Sequence, residues 1–215
     1  MYKFGINLEN EKKTVKLFNI YDIKMNNKVF LESKKGEDII VDFNNYDLNH
    51  IKMKDTEIVY YLLQYKIKQY ILPNESISSI DDFCQRFKKT DTAKRIAIVQ
   101  GADFDSLVDS YLYLRNSPYI DKIAFNLDSM YFYQCFKRKY EEEGDENLLN
   151  MTLAEKLIIG RSIFVKQLFD TCVFTWKKKH ILLSPDSTNV CREKDYKVYI
   201  GNSFEYIIKS ESFYE

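Results

Sequence analysis

Glycine and proline are scarce in this chain: its 215 residues include six of one and three of the other. Loops must therefore be built from Asn, Asp, Ser and Lys, of which Asn, Asp and Ser bond back to their own backbone and Asn and Asp tolerate turn conformations. The shortage excludes collagen-like and low-complexity organisation, and no internal repeat is visible. Neither sign of charge is in excess, because Lys plus Arg and Asp plus Glu number 32 each. Proteins held mainly by phosphate contacts usually carry a basic surplus, so any basic surface here must be local. Three short basic clusters qualify, Arg86–Lys89, Lys137–Lys139 and Lys177–His180, and each reads first as a solvated face. The four cysteines, Cys84, Cys135, Cys172 and Cys191, form no CxxC or CxC pair, so a zinc knuckle is not expected. Their wide spacing, and the absence of an apolar stretch in the charged first eleven residues, predict reduced thiols and a cytoplasmic protein. No run approaches the roughly 18 apolar residues of a membrane span, so no membrane partner is expected. A P-loop, a dinucleotide-binding glycine fingerprint and a GxSxG elbow are all missing.

The residues that are abundant describe a globular core. Hydrophobic residues make up 45% of the chain, with 17 Tyr and 15 Phe among them. Free use of Tyr, Lys, Asn and Ile is the mark of an AT-rich coding sequence. A chain of this length buries roughly 70% of its unfolded surface as one domain and needs no staples. The spacing predicts a single α/β domain over 1–215, with a β-rich N-terminal segment over 1–36.

In that segment Tyr2–Leu8, Val15–Ile23 and Lys28–Leu31 read as strands between turn-like stretches. Ile39–Phe43 (IIVDF) is a short apolar run of the kind buried on both faces. Alternation follows. Thr56–Tyr70 puts Ile58, Tyr61, Leu62 and Tyr65 on one helical face, and Tyr70–Leu72 is a strand stopped by Pro73. Ser78 opens a helix with Asp81 as a weak capping box and with Ile80, Phe83, Cys84 and Phe87 as its apolar stripe. Arg95–Val99 is a buried strand. Asp103 or Asp105 opens a helix with Leu107, Val108, Tyr111, Leu112 and Leu114 inward, and Lys122–Leu127 is the next strand. Lys137–Asn150, acidic and poor in apolar residues, is the stretch expected to be mobile. Thr152 caps a long helix whose inner face carries Leu153, Leu157, Ile158, Phe164, Val165 and Leu168. His180–Leu183 and Lys197–Ile200 are the last strands. Strand–helix alternation at this spacing implies right-handed crossovers and a parallel sheet, either doubly wound or a barrel. A full eight-fold barrel usually takes about 250 residues, so a trimmed (β/α) barrel is expected.

Polar residues follow the strands: Asp42-Phe43-Asn44-Asn45, Pro73-Asn74-Glu75, Gln100-Gly101, Asn126–Asp128, Ser184-Pro185-Asp186 and Gly201-Asn202-Ser203. In parallel sheets the functional residues gather at these C-terminal ends. The ordered series resembles the tRNA-guanine and DNA 7-deazaguanine transglycosylases, above all the small phage-type members. RIAIVQGADFDSLVDSYLYL (95–114) resembles the family's strand, Gln-Gly and helix. IIVDFNNYDL (39–48) is similar to its strand ending in Asp, YILPNESISSIDDF (70–83) to the strand ending in Pro-Asp, and HILLS (180–184) to its His-Leu-Leu-Gly strand. YKVYIGNS (196–203) falls where the family carries the strand ending in its nucleophilic Asp. The resemblance covers about 39–203.

It implies exchange of guanine for a 7-deazaguanine base in DNA or tRNA, with nucleic acid and a purine-like base as partners and no cofactor or metal. An Asp nucleophile would form a covalent pentosyl intermediate, and a second Asp would manage the proton on the base. Carried onto this sequence, Asp42 is the acid/base, while Asn74, Gln100 and Gly101 bind the base, Gly101 giving close backbone approach. Bland readings stand beside these: a hydrogen-bonded turn carboxylate for Asp42, and a plain strand-to-helix turn for Gln100-Gly101. Asn74 stands where the family has Asp. Gly201, beside Asn202, stands where the nucleophile should be, and the family's cysteine-rich zinc site is missing. The alternative is a catalytically inactive paralogue acting as a nucleic-acid-binding or partner-binding subunit, or as a homo-oligomer. A phage origin would place it in the host cytoplasm. His180 reads as structural, and Trp176 as core.

Overall fold

A computed structural model describes residues 16–25, 31, 39–43, 53–73, 76–127, 129–143, 150–171, 173, 177–184 and 204–209. The strands are β1 (Lys16–Asn19), β2 (Ile39–Asp42), β3 (Gln69–Ile71), β4 (Lys94–Ile98), β5 (Lys122–Phe125), β6 (Lys179–Ser184) and β7 (Phe204–Lys209). Each pairs in parallel with the next, and β7 pairs back onto β1, so the sheet closes into a barrel. The α/β parallel barrel expected from the sequence is present. Among the described residues it has one strand fewer than an eight-fold barrel and is still closed, so none of these strands presents an unpaired edge.

The helices among the described residues are α1 (Ile20–Met25), α2 (Asp55–Gln64), α3 (Ile77–Arg86), α4 (Phe104–Asn116), α5 (Met130–Glu143) and α6 (Leu153–Asp170). None is long and apolar enough to cross a membrane. Strand side chains alternate between two cores, as a pleated strand requires. Leu17, Ile40, Ile71, Ile96, Ile98, Ala124, Ile181 and Leu183 pack together inside the barrel. Phe18, Val41, Tyr70, Ala97, Ile123, Phe125 and Leu182 point outward, into a larger cluster with the helices. Short strands with both faces covered explain why runs such as IIVD and KIAF lack polar alternation.

Four local expectations are corrected. Val15–Ile23 is not one strand: β1 ends at Asn19, and Ile20 and Ile23, three apart and fully buried, belong to α1. The short run contains both periods, and the outer core selects the helical one. Lys137–Glu143 is not a mobile stretch but the second half of α5. Tyr133, Phe136 and Tyr140 pack there with Ile159 and Met151, and Lys137 pairs with Glu141 at 3.7 Å. The helix expected at Ser78 starts earlier, at the Ser76 cap. Leu153, expected inside α6, is 58% exposed.

Other boundaries hold. Asp103 is the α4 cap, its Oδ1 accepting from the Ser106 amide at 2.8 Å, and Thr152 caps α6 in a box with Glu155. Lys66, with φ of 48°, takes the left-handed turn after α2 that a glycine-poor chain leaves to another residue. Tyr2–Leu8, Lys28–Phe30, residues 144–149, Trp176 and Lys197–Ile200 lie outside the described residues; Leu31 is helical.

Candidate site at the barrel mouth

Inward-facing residues at the C-terminal strand ends are fixed by the same alternation that builds the inner core. Ile40 lies inside, so Asp42, two residues on, faces inward as well. Asp42 is 1% exposed. Its register partner on β1 is Asn19, and its partner on β3 is Ile71. Ile96 and Ile98 set the inward phase of β4, which Gln100 continues, and Ala124 does the same for Asn126 after β5. Asn19, Asp42, Gln100 and Asn126 thus share the inward phase at one end of the barrel. Below them the interior is aliphatic, and at its floor Lys122 Nζ donates to Gln69 Oε1 at 3.2 Å.

Gln100 is half-buried, and its backbone N–H is held by Ser110 Oγ at 3.0 Å. Its side-chain amide makes no hydrogen bond among the described residues, which leaves donor and acceptor for a ligand. At Gly101 an added Cβ would lie 2.6 Å from both the Leu107 nitrogen and Ser106 Oγ. The bare Cα is therefore required by the start of α4 itself. The Gly101 carbonyl accepts from Ser129 Oγ at 2.8 Å, tying the β4 and β5 tips together. Asn74, Gly201 and Asn202 lie outside the described residues. Gly201 and Asn202 precede β7 along the chain, since the closing strand starts at Phe204.

Sequence reasoning missed two residues. Asn19 sat inside a supposed strand. Arg161 of α6 is 1% exposed, and its Nη1 donates to the carbonyls of Phe125 at 2.8 Å and Leu183 at 2.6 Å. It buttresses the β5 and β6 tips from outside the barrel. The signal was an arginine on an apolar stripe, three residues from both Ile158 and Phe164. Gly160 beside it has no room for a Cβ, because the Phe132 backbone of α5 fills the space.

Two titratable clusters lie away from the mouth. His180, near the start of β6, is fully buried; its Nε2 is 3.1 Å from Tyr111 Oη, and its ring stacks with Tyr111 and Phe125. Burial lowers its pKa to about 3, so it is neutral and does no acid–base work near pH 7. Asp91, before β4, accepts from Tyr70 Oη at 2.6 Å and Arg95 Nε at 2.9 Å. Burial, then the Asp91 carboxylate, raises the Tyr70 phenol far above its usual range. Burial also pushes the Cys84 thiol up to about 11, which makes it unreactive.

No family model and no curated protein matches this chain. Among solved structures, the crystal structure of RipC from Yersinia pestis aligns over 95% of this chain and 92% of its own, at 12% identity and a TM-score of 0.44. Likeness at that level carries no argument about activity or fold, and the barrel rests on its own strand pairing.

Proposed function

We propose that the chain is a transglycosylase-like barrel that receives a purine base at its C-terminal mouth and exchanges guanine for a 7-deazaguanine in DNA or tRNA. The observation that carries this reading is the shared inward phase of Asp42 and Gln100, at the tips of β2 and β4. Those are the two positions at which the sequence resembles the family's proton-handling Asp and base-reading Gln. A buried carboxylate above the aliphatic middle of the barrel can hold or take a base N–H proton. An amide two strands away can satisfy the purine's carbonyl edge.

Exchange of radiolabelled guanine into tRNA and into duplex DNA tests the proposal. Asp42→Asn should abolish incorporation, and Gln100→Ala should weaken it by roughly tenfold or more, the loss of one or two hydrogen bonds to the base. Full activity in Asp42→Asn would end the reading.

A second reading is favoured by one position. The family's nucleophile falls on Gly201, and Asp42 is the carboxylate that faces inward at the strand tips among the described residues. A barrel lacking the nucleophile would bind a base or nucleic acid without exchange. Guanine binding by calorimetry, lost in Gln100→Ala and accompanied by no label transfer, identifies that case.

A further inference from the structure

Among the described residues, the end of the barrel opposite the mouth collects positive charge that the zero net charge conceals. Two of the basic clusters visible in the sequence, at residues 86–89 and 177–180, come together there with further lysines. The connections entering β3, β4 and β6, with the first residues of those strands, expose Lys66, Lys68, Lys88, Lys89, Lys94 and Lys179. Lys66, Lys68, Lys89 and Lys94 have no carboxylate at ion-pair distance among the described residues. Asp91 on this face is buried and bonded to Arg95 and Tyr70. Asp121 is exposed, with Oδ2 accepting from the Arg95 amide at 2.8 Å. Arg86 is set apart, held by Asp55 and Asp82.

Near the mouth, among the described residues, the acids Glu57, Asp103 and Asp105 at helix starts lie with Lys54 and with Lys137, Arg138 and Lys156 of the α5–α6 pair, so neither sign dominates there. Helix dipoles favour acids at helix starts and bases at helix ends, which accounts for part of this sorting. That effect fades within a turn, so it does not reach Lys68, Lys94 and Lys179, which lie at strand starts. A concentration of unneutralised lysines costs self-repulsion unless a polyanion meets it.

We propose that this N-terminal face binds the phosphodiester backbone of a nucleic acid. Lysines presented on neighbouring loops suit a row of phosphates, whose condensed counterions are released on contact. Tyr119, half-buried, with Lys88 Nζ 6.0 Å from its ring centroid, adds an aromatic surface among the charges. A lipid surface would need an apolar anchor between the lysines, yet Ile67 and Ile120 of these loops are buried. The face is separate from the mouth, so this binding does not depend on base exchange.

Fluorescence anisotropy with a short DNA duplex and its RNA counterpart, across about 50 to 200 mM salt, tests the inference. Affinity should fall at least about tenfold over that range. The triple variant Lys68→Gln, Lys89→Gln, Lys94→Gln should bind at least about tenfold more weakly at low salt. Its log–log salt slope should be smaller by about 2 to 3, at roughly 0.9 for each phosphate no longer neutralised. Far-UV circular dichroism and melting should match the parent. Label exchange is read on the same protein, so failure of this site, seen as unchanged anisotropy in the triple variant, and failure of the base-exchange reading, seen as absent label transfer in the parent, are told apart. Three results would overturn the inference: equal affinity and slope in the triple variant, preference for phosphatidylserine vesicles over both duplexes, or salt-reversible self-association in place of duplex binding.

Discussion

His180 shows what burial does to a residue that would otherwise be a catalytic candidate. Its imidazole packs against both Tyr111 and Phe125 and stays neutral down to about pH 3. The unfolded chain takes up that proton near pH 6.5. The stability this residue contributes is therefore fully present above pH 6.5 and is lost as pH falls toward 3. The loss should approach about 1.4 kcal/mol per pH unit inside that window. Urea titrations between pH 7 and pH 5, ahead of most carboxylate titration, should show this slope in the parent and not in His180→Gln. Arg161 makes the complementary case of a buried cation that acts as a brace. Arg161→Met removes the donor from the Phe125 and Leu183 carbonyls, at about 1–3 kcal/mol for each acceptor left unpaired. A midpoint shift in chemical denaturation reads it. A variant as stable as the parent would show that water replaces the guanidinium.

At the scale of elements, the α5–α6 pair depends on one missing side chain. Tyr131 faces Gln167, Phe132 faces Gly160 and Phe164, and Phe136 packs with Ile159, so the two helices run antiparallel. Their closest approach is at Gly160, where the Phe132 backbone occupies the position of a Cβ. Gly160→Ala forces the helices apart, and the expected cost is about 3 kcal/mol despite alanine's better helix propensity. Thermal melts should show a lowered midpoint, and an unchanged one would mean that the helices separate freely. Arg161, one residue on, would be displaced with the helix, so the strand tips at the mouth should feel the same substitution.

Over the whole molecule, closure is decided by the last described strand. β7 bonds both β6 and β1, and removing it would expose two strand edges and open one side of the inner core. Deletion of residues 204–215 should abolish cooperative unfolding and lead to aggregation on size-exclusion chromatography, as unpaired parallel edges do. A monomeric, cooperatively melting deletion would mean that the barrel does not need this closure. Closure also defines the mouth. Asn19 and Asp42 are neighbours by register, but Gln100 and Asn126 share their end of the barrel and their inward phase because the sheet curls round on itself.

The sequence by itself determined the element types at β2 through β6, the cap at Thr152 and the parallel α/β class, because these follow from local periodicity and capping chemistry, while the choice of Asp103 over Asp105 and the closure of the sheet came with the fold. It also marked Asp42 and Gln100 as strand-tip residues. It could not phase Val15–Ile23, nor extend α5 through 137–143, because both depended on partners far along the chain. Tertiary structure alone decided that Arg161 is a brace, that His180 is silent, and that lysines distant in sequence share one face. Those outcomes depend on burial and proximity, which arise only when the sheet closes and packs against its helices.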